Sequence, residues 1–284
     1  MLTIAVFFRV CVWSVAMNVG SSERDGMPHE FEGREYENAS AHQKAWGARL
    51  IGELELSGNE SILDLGCGDG QLTAQLAARV PHGRVLGVDA SIGMLQAARR
   101  HEGTNLRFLQ KDIGDLDFVE EFDVVFSNAT LHWVPDHTRL LDDVFLALRK
   151  GGFLRFNFAG EGNCENFFQV VREAMANPRF AGCFRDFVWP WYMPSLGQYM
   201  QVAAQSRFHE IRVWAENADH AFPDSDAMVR WIDQPSLVPF LGCVAEADKG
   251  RFRELIVRRM IEKTRRSDGT CFETFRRINV FARK

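Results

Sequence analysis

Apolar positions in this chain fall into two rhythms that alternate along it. Nearly unbroken apolar runs recur at Ile62-Leu63-Asp64-Leu65, at Val85-Leu86-Gly87-Val88, and within residues 106–113, 122–128 and 151–158. Such runs suit strands covered on both faces. Between them apolar residues return every three or four positions: Leu72, Leu76 and Val80, then Met94, Leu95 and Ala98, then a stretch from about 136 to 150. That spacing predicts helices laid against a sheet. Ser91 is a capping residue for the second helix. The pair Gly151-Gly152 predicts the stop of the third helix before a fifth strand. Five strands alternating with helices predict an α/β fold with a doubly wound parallel sheet.

The chemistry concentrates where the first strand meets the first helix. Ser61-Ile62-Leu63-Asp64-Leu65-Gly66-Cys67-Gly68-Asp69-Gly70 joins a strand to a three-glycine turn. Glycines there let the backbone turn sharply and approach a ligand closely. A strand, a glycine turn and a helix predict a nucleotide-like cofactor at the carboxyl end of the sheet. A dinucleotide fingerprint needs its third glycine one residue later, and a phosphate-cradling loop needs a Lys-Ser or Lys-Thr pair. Both patterns are missing. Asp64 and Asp69 would repel a pyrophosphate and suit a ligand with an amino group. Arg84-Val85-Leu86-Gly87-Val88-Asp89 is a second strand ending in an acid, placed to accept hydrogen bonds from ribose hydroxyls. Cys67 reads as a small packing residue inside the turn.

The pattern D-x-G-C-G-D-G resembles the first motif of class I S-adenosylmethionine (SAM) methyltransferases. The resemblance implies a mostly parallel, seven-stranded, Rossmann-like sheet with a helical lid insert. It implies that the backbone of Gly66, Cys67 and Gly68, with Asp64, holds the aminoacyl part of SAM. Ala90, Ser91 and Met94 would line the adenosine pocket, Asp112 would accept from the adenine amino group, and Ile113 would lie against the ring. Ser127 and Asn128, ending the fourth strand, would sit beside the sulfonium.

A narrower resemblance covers residues 31 to 284. Ser127-Asn128-Ala129-Thr130-Leu131-His132-Trp133-Val134-Pro135-Asp136-His137 is similar to the segment after the fourth strand in trans-aconitate methyltransferases and their relatives. Tyr36, Ser40 and Gln43 match the segment that folds over SAM in that group. Trp231-Ile232-Asp233, Leu237-Val238-Pro239-Phe240-Leu241 and residues 268–283 resemble its lid segment, closing turn and last strand. The family's closing F-P-R is Phe275-Arg276-Arg277 here, residues 158–166 are longer and more acidic than the usual loop, and Trp189-Pro190-Trp191-Tyr192-Met193-Pro194 has no counterpart. The expected layout is one methyltransferase domain over 31–284, with a substrate lid within about 161–270. Residues 1–30 are expected to be a mobile extension or an over-long start, with translation beginning at Met17 or Met27.

Charge and cysteines narrow the partners. The net charge of −5 does not match a nucleic-acid surface, and 46% hydrophobic residues suffice for a full core. Residues 249–284 hold twelve Lys or Arg against four Asp or Glu. Phe252, Ile256 and Met260 recur four apart, so this stretch begins as an amphipathic helix whose other face carries Arg251, Arg258 and Arg259. That face is read as solvated, as an anion-attracting lid, or as a nucleic-acid contact. The six cysteines form no C-x-x-C pair and the eight histidines no cluster, so no metal site or disulfide framework is expected. Dependence on SAM places the protein in the cytoplasm, without stable membrane association.

Methyl transfer needs two reactants positioned and desolvated more than it needs acid–base chemistry. A carboxylate acceptor is already anionic and requires no base. His132 is read as orienting, or as a base for a hydroxyl or amine; Trp133 is read as its neighbour at the methyl group or as core. Arg155, Arg276 or Arg277 would clamp a second carboxylate, and strand alternation lets at most one of the last two face the acceptor. The expected function is therefore methylation of a small-molecule acceptor, with a carboxylate as first choice. Methylation of a larger aromatic metabolite, suggested by Trp189, Trp191 and Tyr192, is the alternative. A SAM-binding regulator without turnover and a dehydrogenase are readings of other classes.

Overall fold

The computed structural model describes residues 41–284. Its centre is a seven-stranded sheet. Strands β1 (Ser61–Leu65), β2 (Arg84–Asp89), β3 (Leu106–Gln110), β4 (Phe122–Asn128), β5 (Leu148–Ala159), β6 (His209–Asn217) and the last strand, β9 (Arg276–Arg283), lie in the order β3-β2-β1-β4-β5-β9-β6. Neighbours from β3 through β5 are parallel. β9 runs antiparallel to both β5 and β6. The strand order reverses beside β1, the kind of switch point where open α/β sheets bind ligands.

Alternation along each strand fills two cores. On one face Ile62, Val124 and Phe126 pack with Leu50 and Ile51 of α1 (Ala41–Gly52) and Leu76 of α2 (Gln71–Arg79). On the other, Leu63, Leu65, Val125 and Phe156 pack with Leu140 and Val144 of α4 (His137–Ala147). The helix α3 (Ile92–Ala98) begins as expected, with Ser91 Oγ accepting from Met94 N at 3.2 Å.

Two boundaries differ from the sequence expectation. α4 stops at Ala147, and Gly151-Gly152 lies inside β5. Leu148 pairs with Phe122, yet Phe153 pairs with Val124, so the strand bulges between them. Gly151 supplies the positive φ of 82° that the bulge needs. The third strand ends at Gln110, which leaves Asp112 and Ile113 in the following turn.

The insert between β5 and β9 has two parts. α6 (Leu196–Ala204) and β6 return to the main sheet, burying Tyr199 and Phe208 in its core. The remainder forms a separate aromatic cluster. It is built on α5 (Glu165–Met175), α7 (Ser225–Trp231), α8 (Val238–Leu241) and α9 (Glu246–Thr264), with Trp231, Phe240 and Phe252 at its centre. A two-stranded sheet of β7 (His220–Phe222) and β8 (Cys271–Glu273) borders it. α9 buries Phe252, Ile256 and Met260, while Arg259 pairs with Glu173 at 2.8 Å and Arg251 with Asp248 at 3.4 Å.

Candidate active site

The turn after β1 is pinned before any ligand is considered. Gly66 N and Cys67 N both donate to Val88 O, at 2.8 and 3.0 Å, tying the turn to the end of β2. Gly66, Gly68 and Gly70 take φ of 68°, 54° and 77°, a region that costs other residues energy. Their surroundings differ. A Cβ on Gly66 would collide with Thr130, and one on Gly70 would come within 3.0 Å of Phe108 and Ala98. A Cβ on Gly68 meets nothing within 4 Å among the described residues. Of the three, Gly68 alone turns a bare face that no described residue fills.

Asp89 organises this turn. Its carboxylate accepts from Gly68 N and from Ser91 N, both at 2.9 Å. Asp64 lies behind it, 3% exposed, accepting from Thr73 Oγ1 at 2.7 Å. Burial pushes the Asp64 carboxyl up to about 7; the Thr73 hydrogen bond opposes this and the Asp89 charge adds to it. Asp69 corrects the sequence expectation. It is ion-paired with Lys44 of α1 at 2.7 Å and accepts from Gln71 N at 3.2 Å, so its charge is already matched. Burial raises the Cys67 thiol well above its ordinary range, with Asp89 and Asp64 adding to the effect. The residue is thus inert packing.

The ends of β1, β2 and β3 form one rim. Ala90 is half-buried, and its carbonyl accepts from Gln110 Nε2 at 3.2 Å. Met94 and Ile113 are buried, while Asp112 is exposed and accepts from Gly114 N at 2.8 Å. At the end of β4 the two expected residues part. Ser127 is fully buried and donates to Leu65 O at 2.8 Å, which corrects its placement beside a sulfonium: its hydroxyl closes the β1–β4 seam. Asn128 does reach the rim, donating from Nδ2 to Gln43 O at 3.1 Å. Asn128 Oδ1 and Gln43 Oε1 are buried without a hydrogen-bond partner among the described residues. Tyr36 and Ser40 lie outside the described residues.

Beyond β4, Leu131–Trp133 makes a single tight helical turn. His132 is half-buried, and its Nδ1 has no hydrogen-bond partner among the described residues. Burial drives its pKa down to about 3, with the charges of Arg277 and His137 contributing. Sequence reasoning missed His137. Buried against Phe158 and Tyr192, it reaches Leu131 O at 2.9 Å and Tyr199 Oη at 3.2 Å and so braces this turn. The aromatic patch with no family counterpart docks here too. Tyr192 N donates to His132 O at 2.8 Å, and the Trp133 and Trp191 rings lie 5.2 Å apart.

Of the three arginines, one acts on this turn through its charge. Arg155 is a strut: it bonds Glu53 Oε2, just past α1, at 2.9 Å, Asn279 Oδ1 at 3.1 Å and Phe156 O at 2.9 Å, and lies over Trp214. Those commitments remove it as a substrate clamp. Arg276 points to the opposite face of β9 from Arg277 and pairs with Asp219, which removes it as well. Arg277 is 4% exposed, donates from Nε to Asn157 Oδ1 at 2.8 Å, and lies 5.0 Å over the Trp46 ring. Its charge is felt at His132. Among the described residues no group of three or more His, Cys, Asp or Glu could hold a metal ion, and no helix is long and apolar enough to cross a membrane.

Residues 62–152 match a family model described as a methyltransferase domain. The trans-aconitate 2-methyltransferase of Methylobacterium radiotolerans is 31% identical over 243 residues, which span 84% of this chain and 92% of that protein. That of Mycolicibacterium gilvum is 33% identical over 238 residues, 82% of this chain and 91% of the relative. This chain belongs to the trans-aconitate 2-methyltransferase family. It is a SAM-dependent methyltransferase. Solved structures agree on the fold. The YcgJ protein of Bacillus subtilis superposes with a TM-score of 0.57 at 16% identity, covering 85% of this chain and 98% of that one. Phosphoethanolamine N-methyltransferase 2 of Haemonchus contortus, in complex with S-adenosyl-L-methionine, gives 0.56 at 18% identity, covering 89% and 56%.

Proposed function

We propose that the methyltransferase esterifies a carboxylate of a small organic acid, with SAM on the glycine turn and the acceptor between His132 and Arg277. The names of the relatives support an acidic acceptor. SAM supplies a methyl group on a positively charged sulfur, open to in-line attack by an oxygen lone pair. The turn fits such a cofactor: among the described residues nothing fills the space at Gly68 and two buried amide oxygens have no donor, and Asp89 stands at the end of β2.

On this reading the backbone of Gly66, Cys67 and Gly68, with Asp64, receives the aminoacyl end. Asp89 takes the ribose hydroxyls. Ala90, Met94, Asp112 and Ile113 bound the adenosine, and Gln43 and Asn128 turn their free amide oxygens toward the aminoacyl group. Because the SAM pool is cytosolic, the reaction is placed in the cytoplasm.

One observation carries the acceptor assignment. The charge of Arg277, a buried guanidinium, is felt at His132, a histidine that stays neutral at physiological pH. A base with a pKa of about 3 is too weak to ionise a hydroxyl at useful rates. A carboxylate needs no such help, and a buried cation draws it in. His132 then orients the acceptor through its unpartnered Nδ1, and Trp133 shields it from water.

The test is incubation with methyl-labelled SAM and a panel of di- and tricarboxylic acids. A labelled product that loses its methyl in mild base supports the ester. A base-stable product, or none with any acid, overturns it.

A further inference from the structure

We infer that Cys183 and Cys243 form a redox pair: a hydroperoxide converts their two thiols to a disulfide that staples the aromatic insert. The inference does not depend on the acceptor reading. Sixty positions separate the two residues in sequence, and both are free and exposed. Cys67, Cys164 and Cys271 are buried.

Folding lays the two segments side by side. Cys183 sits on the tight helical turn Ala181–Phe184, and Cys243 follows α8, its N donating to Phe240 O at 3.1 Å. Arg179 pairs with Asp248 at 2.6 Å, and the Phe187 and Phe240 rings lie 5.2 Å apart. These two contacts run antiparallel. Cys183, midway between Arg179 and Phe187, therefore falls opposite Cys243 and Val244, midway between Phe240 and Asp248. The seam is anchored from below, where Phe180 and Phe184 lie 5.0 and 5.3 Å from Phe252 in the cluster that also buries Val244. The thiols respond to each other as well. Burial raises the Cys243 thiol, and the charge of Cys183 adds to the rise. Exposed charges on separate segments act so only at short range.

The chemistry is that of two neighbouring thiols and one peroxide. The Cys183 thiolate attacks a peroxide oxygen, the O–O bond breaks, and the departing hydroxide takes up a proton as water. Cys183 is then a sulfenic acid. Cys243, which burial holds in its thiol form until then, loses its proton and attacks that sulfur. The S–S bond forms, the S–O bond breaks, and a second water leaves. The two thiols are oxidised and the peroxide is reduced. Where thiols are otherwise kept reduced, such a bond is transient and reports oxidant. Its reach extends toward the site, because Phe240 lies 5.6 and 5.8 Å from the Trp189 and Trp191 rings, and Tyr192 N donates to His132 O.

Hydrogen peroxide on the dilute full chain, followed by alkylation, trypsin and mass spectrometry, tests this. Free thiol at Cys183 and Cys243 should fall at least about tenfold, while that at Cys67, Cys164 and Cys271, read after unfolding, stays within about twofold. Residues 180–185 and 231–249, the tryptic peptides holding the pair, should be recovered joined from protein of single-chain mass and parted by dithiothreitol. Amide hydrogen exchange over 187–192 should slow at least about threefold on oxidation. In Cys243→Ser, Cys183 should stop at a sulfenic acid trapped by dimedone, with that exchange unchanged. Two thiols still free in the native protein, joining only between two chains, or Cys183 carried on to a sulfinic acid overturns the inference. Joined peptides with unaltered exchange overturn the staple. If Cys243→Ser fails to fold, the native protein decides alone.

Discussion

Asn157 Oδ1 accepts from Arg277 Nε at 2.8 Å, and this amide is fixed at both ends by charge. A guanidinium can only donate and a carboxylate can only accept. Asn157 must therefore turn Oδ1 to Arg277 and Nδ2 to Asn279 Oδ1, at 2.9 Å, while Asn279 Nδ2 donates to Glu216 Oε2 at 3.2 Å. Asn128, Asn157 and Asn279 sit opposite one another on neighbouring strands, so the row spans the sheet beneath the site. Its function is to aim Arg277. Asn157→Ala should raise the acceptor KM by about tenfold or more and leave SAM affinity within about twofold. Losing the side-chain acceptor of its Nε should also lower stability by about 1–3 kcal/mol. Steady-state kinetics beside a melting curve measures both.

Gly66 and Gly68 should separate folding from binding. A side chain at 66 strikes Thr130, whereas one at 68 enters open space. Gly66→Ala is expected to lower the melting temperature. Gly68→Asn keeps a residue that tolerates left-handed backbone and should melt near the native value while binding SAM at least about tenfold more weakly. Thermal melts with and without SAM distinguish the two.

Asp64 links cofactor binding to protons. Its carboxyl is raised from an ordinary 3.8 to about 7, with burial the largest cause. The folded, ligand-free protein therefore holds more protons than the unfolded chain between those values. The stability from this group is complete below about pH 4 and is lost as pH rises through 7. A cationic amino group beside Asp64 favours the ionised form, so SAM binding at pH 6 should release protons and tighten toward pH 8. Titration calorimetry in buffers of different ionisation enthalpy reads the release. Asp64→Asn should abolish it.

His132 gives a contrasting profile. Since it titrates near pH 3, kcat at saturating SAM should stay flat from pH 6 to 9. A limb near pH 6.5 would return His132 to the role of general base.

Much of this was legible in the chain because it depends on near neighbours. Asp64 and Asp89 end predicted strands, and Ser91 caps the helix it precedes. The errors arose where distant segments meet. Gly151-Gly152 signals a helix stop, but pairing with Phe122 and Val124 draws residues 148–150 into β5. Asp69 looked open for an amino group until α1 delivered Lys44.

The arginines show the same limit. Arg155, Arg276 and Arg277 are chemically alike in sequence. Glu53, Asp219 and Asn157, from three distant parts of the chain, tell them apart. Glu273 is a further case. Fully buried on β8, it accepts from Phe167 N at 2.9 Å and Asn166 N at 3.2 Å, capping α5 from more than a hundred residues away. Local pattern carries no signal for such a cap.

The most direct measurement is a calorimetric titration of S-adenosylhomocysteine into the native protein and into Asp89→Ala. The account predicts saturable binding at one site, weakened at least about tenfold by the substitution, which removes the carboxylate and its hold on Gly68 N. Equal affinity in the two proteins, or no heat of binding at millimolar ligand with the native chain, would contradict it.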